Sequence, residues 1–516
     1  MAAGRQSAPR RDSRSLALRA LPLIGALSGL STAAWAAQAQ PPDVRLFFQA
    51  VSSDERESRA ALEAIGASWR DGYAGMIVDI ARLLRGASRR RPGSSEGSDV
   101  AAAAPDEERQ PEAVRPPRDL DAGPSFVAAD PRRQRLIRFL EKQTGQRFGD
   151  DLRAWRRWLW NRPSEPHPDL AAFKSALYGN IDPKMGAFFT PGAVAKIRLD
   201  EVDWGGVKVN GIPPLDHPKV VAADEARYLK GKNVVFGIVV NGEARAYPKR
   251  ILAWHELALD RLGGSELAVV YCTLCGTVIP YAAETEGRRF TFGTSGLLYR
   301  SNKLMFDHET GSLWSTLEGR PVVGPLAATS LELRAYPVVT TTWEEWLKEH
   351  PETSVLSLDT GHERDYSEGA AYRQYFATDE LMFDVPRLDE RLKNKAEVLT
   401  LLLREPDGSA PTRRPLALSA EFLKRNPVHQ LRFAGQDLLV VTSAAGANRV
   451  YAIPAGSRFV RKLAEDRLQD DRQRAWRLTE EALTLEANET VAPRVPARRA
   501  FWFAWQAQFP ETELIR

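Results

Sequence analysis

Residues 341–356, TTWEEWLKEHPETSVL, and residues 499–515, RAFWFAWQAQFPETELI, carry one signature twice. Trp343, Trp346, Pro351, Glu352 and Thr353 recur as Trp502, Trp505, Pro510, Glu511 and Thr512, each 159 positions further on. Five matches at one offset, two of them tryptophan, mark an internal duplication. Weaker matches precede these anchors in the same order. VVFGIVVNGEARAYP (234–248) resembles VLTLLLREPDGSAP (398–411), LAVVYCTLCGTVIPY (267–281) resembles DLLVVTSAAGANRVYAI (437–453), and LWSTLEG (313–319) resembles AWRLTEE (475–481). The β-branched runs, and Asn241-Gly242 as a hairpin turn, predict strands. The expected fold is α+β: a helical N-terminal module, a disordered linker, then a mainly-β domain of two tandem halves, 207–358 and 394–515. Each half ends in a helix carrying Trp-x-x-Trp.

Outward from this core the chain changes character. Residues 42–85 repeat apolar positions at helical spacing (Met76, Ile77, Ile80, Leu83, Leu84), with Ser52 or Ser53 as the expected cap. Residues 86–128 are Pro, Gly, Ala and charge, which predicts a disordered linker. A helical segment follows over 130–195: DPRRQRLIRFLEKQTG stops at Gly145, and DDLRAWRRWLWN presents Trp155, Trp158 and Trp160. Aromatics interleaved with arginine suit nucleic acid, but at helical spacing they predict a packed face with solvated arginines.

The first 36 residues are laid out as a signal peptide: a basic run, the apolar stretch ALPLIGALSGLSTAA, then Ala34-Trp35-Ala36. Five arginines against Asp12 in this segment account for the whole formal charge of +4 of the 516-residue chain. The remainder is neutral, so no nucleic-acid partner is expected. The expected location is periplasmic, with membrane contact only through an uncleaved signal anchor, and the expected partner there is a redox or other protein. Two cysteines exclude a disulfide-dense scaffold and a four-cysteine metal cluster.

Those two, Cys272 and Cys275, form the one C-x-x-C, at the end of a strand and before Gly276. The spacing suits a reactive thiol pair or two soft ligands for copper or zinc. Haem attachment fails because Gly276 follows, and no nucleotide motif occurs. His255 is the nearest upstream histidine and the candidate third member, as catalytic partner or as metal ligand with Cys272 and Cys275. A helix over 249–261 would set His255 above Leu259 and leave its carboxylate partner, Glu256 or Asp260, open. The second half has Thr442-Ser443-Ala444-Ala445-Gly446 at this place, with no thiol.

GIPPLDHP, NGEARAYPKRILAWHELALD, VVYCTLCGTVIPY, FGTSGLLYRSNKLMFDHETGSLWSTLEGRPVVGPL and TTWEEWLKEHPETSVLSLDTGHERDY, in that order, resemble the bacterial and archaeal family called domain of unknown function 3179. The resemblance implies exported proteins without an established activity. It carries over Arg245, Tyr247, Pro248, His255, Glu256, Asp260, Cys272, Cys275, Gly276, Ser295, Asp307, Ser312, Trp314, Arg364 and Tyr366 as motif positions. The chain departs from the family at Leu259, where asparagine is usual, and at His308, where arginine is usual. The leading expectation is thiol–disulfide redox chemistry at Cys272 and Cys275 with His255, supported by Arg245, Tyr247, Glu256, Asp260, Ser295, Asp307 and Arg364. The alternatives are a copper or zinc site and a non-catalytic scaffold.

Protein recovered outside the cytoplasm should begin near Ala37 or Gln40 when its N-terminus is read by mass. An intact Met1 there would mean an anchor instead.

Overall fold

The computed structural model describes residues 40–84, 130–162, 164–405, 413–487 and 490–516. The expected signal peptide and linker lie outside the described residues. Among the described residues no helix is long and apolar enough to cross a membrane.

The N-terminal layer is built on α1 (Val44–Gln49), α2 (Glu55–Ala67), α3 (Ala74–Leu83), α4 (Pro131–Thr144), α5 (Leu152–Trp160) and α6 (Leu170–Gly179), with a one-turn helix at Pro183–Gly186. They share one apolar core with residues of the first β half, among them Leu297, Leu304 and Leu313. Asp54, not Ser52 or Ser53, caps α2: its carboxylate accepts from Arg56 N and Glu57 N. Gly145 ends α4 in the left-handed region, as its sequence suggests.

The first half runs β1 (Val234–Val240), β2 (Glu243–Pro248), α7 (Lys249–His255), β3 (Leu257–Leu262), β4 (Ser265–Cys272), β5 (Thr277–Ala282), β6 (Phe292–Tyr299), β7 (Asn302–Asp307), β8 (Leu313–Ser315), β9 (Arg320–Val323), β10 (Val339–Thr342), α8 (Trp343–Glu349) and β11 (Ser354–Leu356). A short helix, α9 (Arg373–Ala377), lies in the segment joining the halves. The second half runs β12 (Glu397–Arg404), β13 (Arg413–Ser419), α10 (Ala420–Arg425), β14 (Val428–Phe433), β15 (Gln436–Thr442), β16 (Asn448–Ala452), β17 (Phe459–Ala464), β18 (Arg467–Asp470), β19 (Ala475–Leu478), β20 (Ala482–Leu485), β21 (Arg498–Phe501), α11 (Trp502–Gln508) and β22 (Glu513–Ile515).

The duplication holds in pairing as well as in order. Strands β10-β1-β2-β11, in a sheet that Val220–Ala222 extends beyond β11, recur as β21-β12-β13-β22, antiparallel twice and then parallel. The sheet β3-β4-β5 recurs as β14-β15-β16, and the meander β6-β7-β8-β9 as β17-β18-β19-β20. The Cys272 strand and the Val440 strand therefore hold the same place. Side-chain bonds recur too. Trp346 Nε1 donates to Thr353 Oγ1 at 3.0 Å, and Trp505 Nε1 to Thr512 Oγ1 at 2.9 Å. Trp314 donates to Asp307 and Trp476 to Asp470, at 2.7 and 3.0 Å. Trp346 lies so close to Gly237 that a Cβ there would stand 2.2 Å from the indole.

Two expectations change. The helix expected over 249–261 stops at His255. Glu256 takes a left-handed conformation, φ 58°, and Leu257–Leu262 alternates as a strand with Asp260 buried. In α5 the tryptophans pack as expected, but Arg156 is not solvated. It lies over the Trp160 ring and reaches Asp203 at 2.8 Å, and Arg82 pairs with the same buried carboxylate. Burial opposes the charge on Asp203, but Arg156 and Arg82 outweigh it and draw its pKa down to about 2.

Asp203→Ala would remove the carboxylate that two buried guanidinium groups share and should cost about 3–5 kcal/mol in urea unfolding. A loss under about 1 kcal/mol would mean that the cluster is hydrated. Asp203's own share of stability is present above the unfolded carboxylate pKa of ~3.9 and is lost as pH falls towards about 2.

Candidate functional site

Cys272 and Cys275 are disulfide-bonded, with Cα atoms 5.2 Å apart. Cys272 closes β4 opposite Thr277, and Thr273 to Gly276 form the turn, in which Cys275 N donates to Cys272 O at 3.1 Å. Gly276 makes this turn possible. Its φ is +63°, and a Cβ would stand 3.0 Å from the Phe501 ring. The loop is covered: Phe501 N donates to Cys275 O at 2.7 Å, and Tyr375 OH to Leu274 O at 2.7 Å.

The two sulfurs face different surroundings. Cys272 lines a cavity of about 40 Å³ together with Glu256, Lys303, Thr294, Leu298, Tyr372 and Phe383. Cys275 is fully buried, its Sγ 3.0 Å from Asn302 Oδ1. Lys303 Nζ donates to Glu256 O at 2.9 Å and stands 3.4 Å from Glu256 Oε2, while Tyr372 OH donates to Glu256 Oε1 at 3.2 Å. Burial pulls the Lys303 pKa down against the pull of Glu256. It pushes Tyr372 well up, and the Glu256 charge pushes the same way.

His255 does not join the thiols. Its Nδ1 donates to Pro213 O at 2.8 Å, so Nε2 accepts from Tyr366 OH at 2.6 Å, with Thr360 Oγ1 2.6 Å beyond. Burial, with His362 and Arg364 nearby, lowers its pKa to about 4. Among the described residues, one set of three His, Cys, Asp or Glu ligand atoms lies within 4.8 Å of one another, and it is Glu349, His350 and Glu480. Cys272, Cys275 and His255 are not brought together in that way. In the set that is, Arg449 already pairs with both carboxylates, and Arg494 with Glu480.

Of the supporting positions, Glu256 is at the cavity. Arg245 holds Asp260 through Nη1 at 2.7 Å, and Tyr247 donates to Asp260 at 2.7 Å. This knot sits opposite Leu267, five residues before Cys272, roughly 17 Å along the strand. Ser295 braces a bulge in β6, accepting from Leu297 N and donating to Leu304 O. Asp307 ties the 307–314 turn to Trp314. Arg364 is half-buried beside His255 and donates to Glu363 O. Sequence reasoning missed Lys303, Asn302 and Tyr372. The available signal was a lysine in NKLMFD, a strand buried on both faces.

A family described as "Protein of unknown function (DUF3179)" matches residues 209–512. The chain belongs to this family. No curated protein and no solved structure matches it. The DUF3179 match covers both halves, so the duplication lies within the family's own domain. The expected resemblance stands on the same stretch.

His255 should stay neutral in NMR titration until near pH 4, and a midpoint near ~6.5 would mean an exposed ring. Between pH ~6.5 and about 4 the unfolded chain binds a proton that the folded chain does not. Stability should therefore fall on acidification through that window, by roughly 3 kcal/mol from this residue.

Proposed function

We propose that the chain is an exported thiol–disulfide redox protein in which Cys272 exchanges with a partner and Cys275 is the thiol released by the exchange. The observation that carries this reading is Asn302. Its Nδ2 donates to Arg300 O and Ala504 O at 3.0 and 3.1 Å, which holds Oδ1 against Cys275 Sγ. A cystine sulfur has no proton to give. Asn302 is 3% exposed, so the oxidised state leaves this oxygen without a donor among the described residues, and a thiol supplies one. A buried acceptor without a donor costs about 1–3 kcal/mol, which weights the pair towards the dithiol. Burial alone would equally suit an inert disulfide; the waiting acceptor does not.

The exchange follows from the difference between the sulfurs. A thiolate of a partner dithiol attacks Cys272 Sγ. The bond between the sulfurs breaks, and its electron pair goes to Cys275, which takes a proton and donates it to Asn302. The partner's second thiol attacks its own sulfur in the mixed disulfide, and Cys272 leaves as a thiolate. The partner is oxidised to a disulfide, two electrons enter the pair, and the second proton goes to solvent. Tyr372 and Phe383 wall the cavity, so exchange requires that wall to open. Export, expected from residues 1–36, would supply the oxidising surroundings in which such a pair cycles.

Equilibration of the purified protein with a redox buffer should give a reduction potential well above the roughly −300 mV of inert structural disulfides. Asn302→Leu removes the acceptor and should lower that potential by about 20–60 mV, the equivalent of the cost above. A pair that resists reduction in both proteins would leave the scaffold reading. Stoichiometric copper or zinc on the reduced pair would leave the metal reading.

A further inference from the structure

We infer that Lys303 and Glu256 act in opposition on Cys272, the lysine holding the departing sulfur as a thiolate and the carboxylate limiting that hold. This inference rests on the redox reading of Cys272. Both side chains act on the sulfur rather than on the partner, so they are positioning residues.

The geometry points to this division. Lys303 is 5% exposed and Glu256 7%, in the cavity that Cys272 also lines. An ammonium has three donors. Two of those on Lys303 face Glu256, at its carbonyl and its Oε2, and the third has no protein partner among the described residues. The same Glu256 carbonyl accepts from Tyr271 N at 2.9 Å, so the ammonium sits one residue from Cys272 along the backbone. With the disulfide closed, Lys303 and Glu256 balance each other. Reduction adds a negative charge at Cys272, in the cavity that the unused ammonium donor shares.

The tyrosines around Cys272 do not supply charge, and the other charged groups lie outside the cavity. Tyr271 on β4 and Tyr372 and Tyr375 around α9 are held neutral by burial, their pKa values all raised. Lys249 lies over the Phe376 ring and Lys395 over the Tyr375 ring, and Glu397 acts on Tyr271 from the start of β12. Of these groups, Lys303 and Glu256 are the charged ones that line the cavity.

The test uses the full chain carrying Cys275→Ser, so that Cys272 is the single thiol, titrated by its ultraviolet thiolate absorbance. At a pH below the midpoint, Lys303→Met should lower the thiolate fraction about tenfold. Glu256→Gln should raise it. Lys303→Arg keeps the charge and should titrate like its parent. Opposite changes from two neighbours cannot come from a cavity merely opened to water, which would move both variants the same way. An unchanged midpoint in both variants, or movement in one direction, would overturn the inference. A wild-type potential near that of a structural disulfide would overturn the redox reading instead, whatever the titrations give.

Discussion

Each half of the β domain finishes the other half's hairpin loop, and the rest of the structure depends on that exchange. The loop of Cys272 and Cys275 is bonded by Phe501 N and packed by Phe503, Ala504 and Ala507 of α11, all from the second half. The loop at Ser443 to Ala447 is bonded in turn by Glu345 of α8, which accepts from Ser443 Oγ and Ala445 N at 2.8 and 3.2 Å. The polar groups of a turn need partners wherever they are buried, as they are in the Cys272 loop, since an unpaired one costs about 1–3 kcal/mol. Each half provides some of them itself, Thr277 Oγ1 to Cys275 O in the first and Arg499 to Gly446 O in the second, and the other half completes the set. This reciprocity accounts for a second half that keeps its full strand order without any thiol.

The duplication was legible because tryptophan is rare and because its partner travels with it. Trp346 and Thr353 are seven residues apart, as are Trp505 and Thr512, and the indole-to-hydroxyl bond fixes that spacing. The site was less legible, for a physical reason. The motif positions are polar residues in buried places, and burial demands partners whether or not chemistry follows. Arg245, Tyr247 and Asp260 form a closed knot, Ser295 braces a bulge, and Asp307 has a structural counterpart in Asp470. His255 was drawn towards the thiols by sequence proximity, but its two ring nitrogens are spent on Pro213 and Tyr366. Lys303 and Asn302 went unnoticed because a strand with one lysine and one asparagine reads as half-solvated. The joining segment with Tyr372 and Phe383 covers Lys303, and the Ala504 turn of α11 covers Asn302.

The two halves differ most where they correspond. Tyr271 N donates to Glu256 O, and Thr442 N donates to Pro427 O, so proline stands where the first half has its cavity carboxylate. One residue on, Ser443 stands where the first half has Cys272. Ser443 lines a cleft of about 490 Å³ with Arg449, Lys462 and Glu480, whereas Cys272 lines a cavity of about 40 Å³. The joining segment makes the difference, for Tyr372, Met382 and Phe383 close the first-half cavity.

That closure gives the proposed chemistry its leverage. In an open cleft, water screens a lysine from a neighbouring sulfur, and an interaction across about 4 Å falls towards 1 kcal/mol. Behind Tyr372 and Phe383 the same charge acts through a drier medium, where the interaction is several times larger. The cost is that Lys303 must be neutralised while the disulfide is closed, and Glu256 does this. A sealed cavity without the pair would leave a new thiolate uncompensated, and the pair without the seal would have little hold on it. Cysteines, ion pair and covering segment therefore occur together in the first half, while the second half keeps the scaffold and stays open.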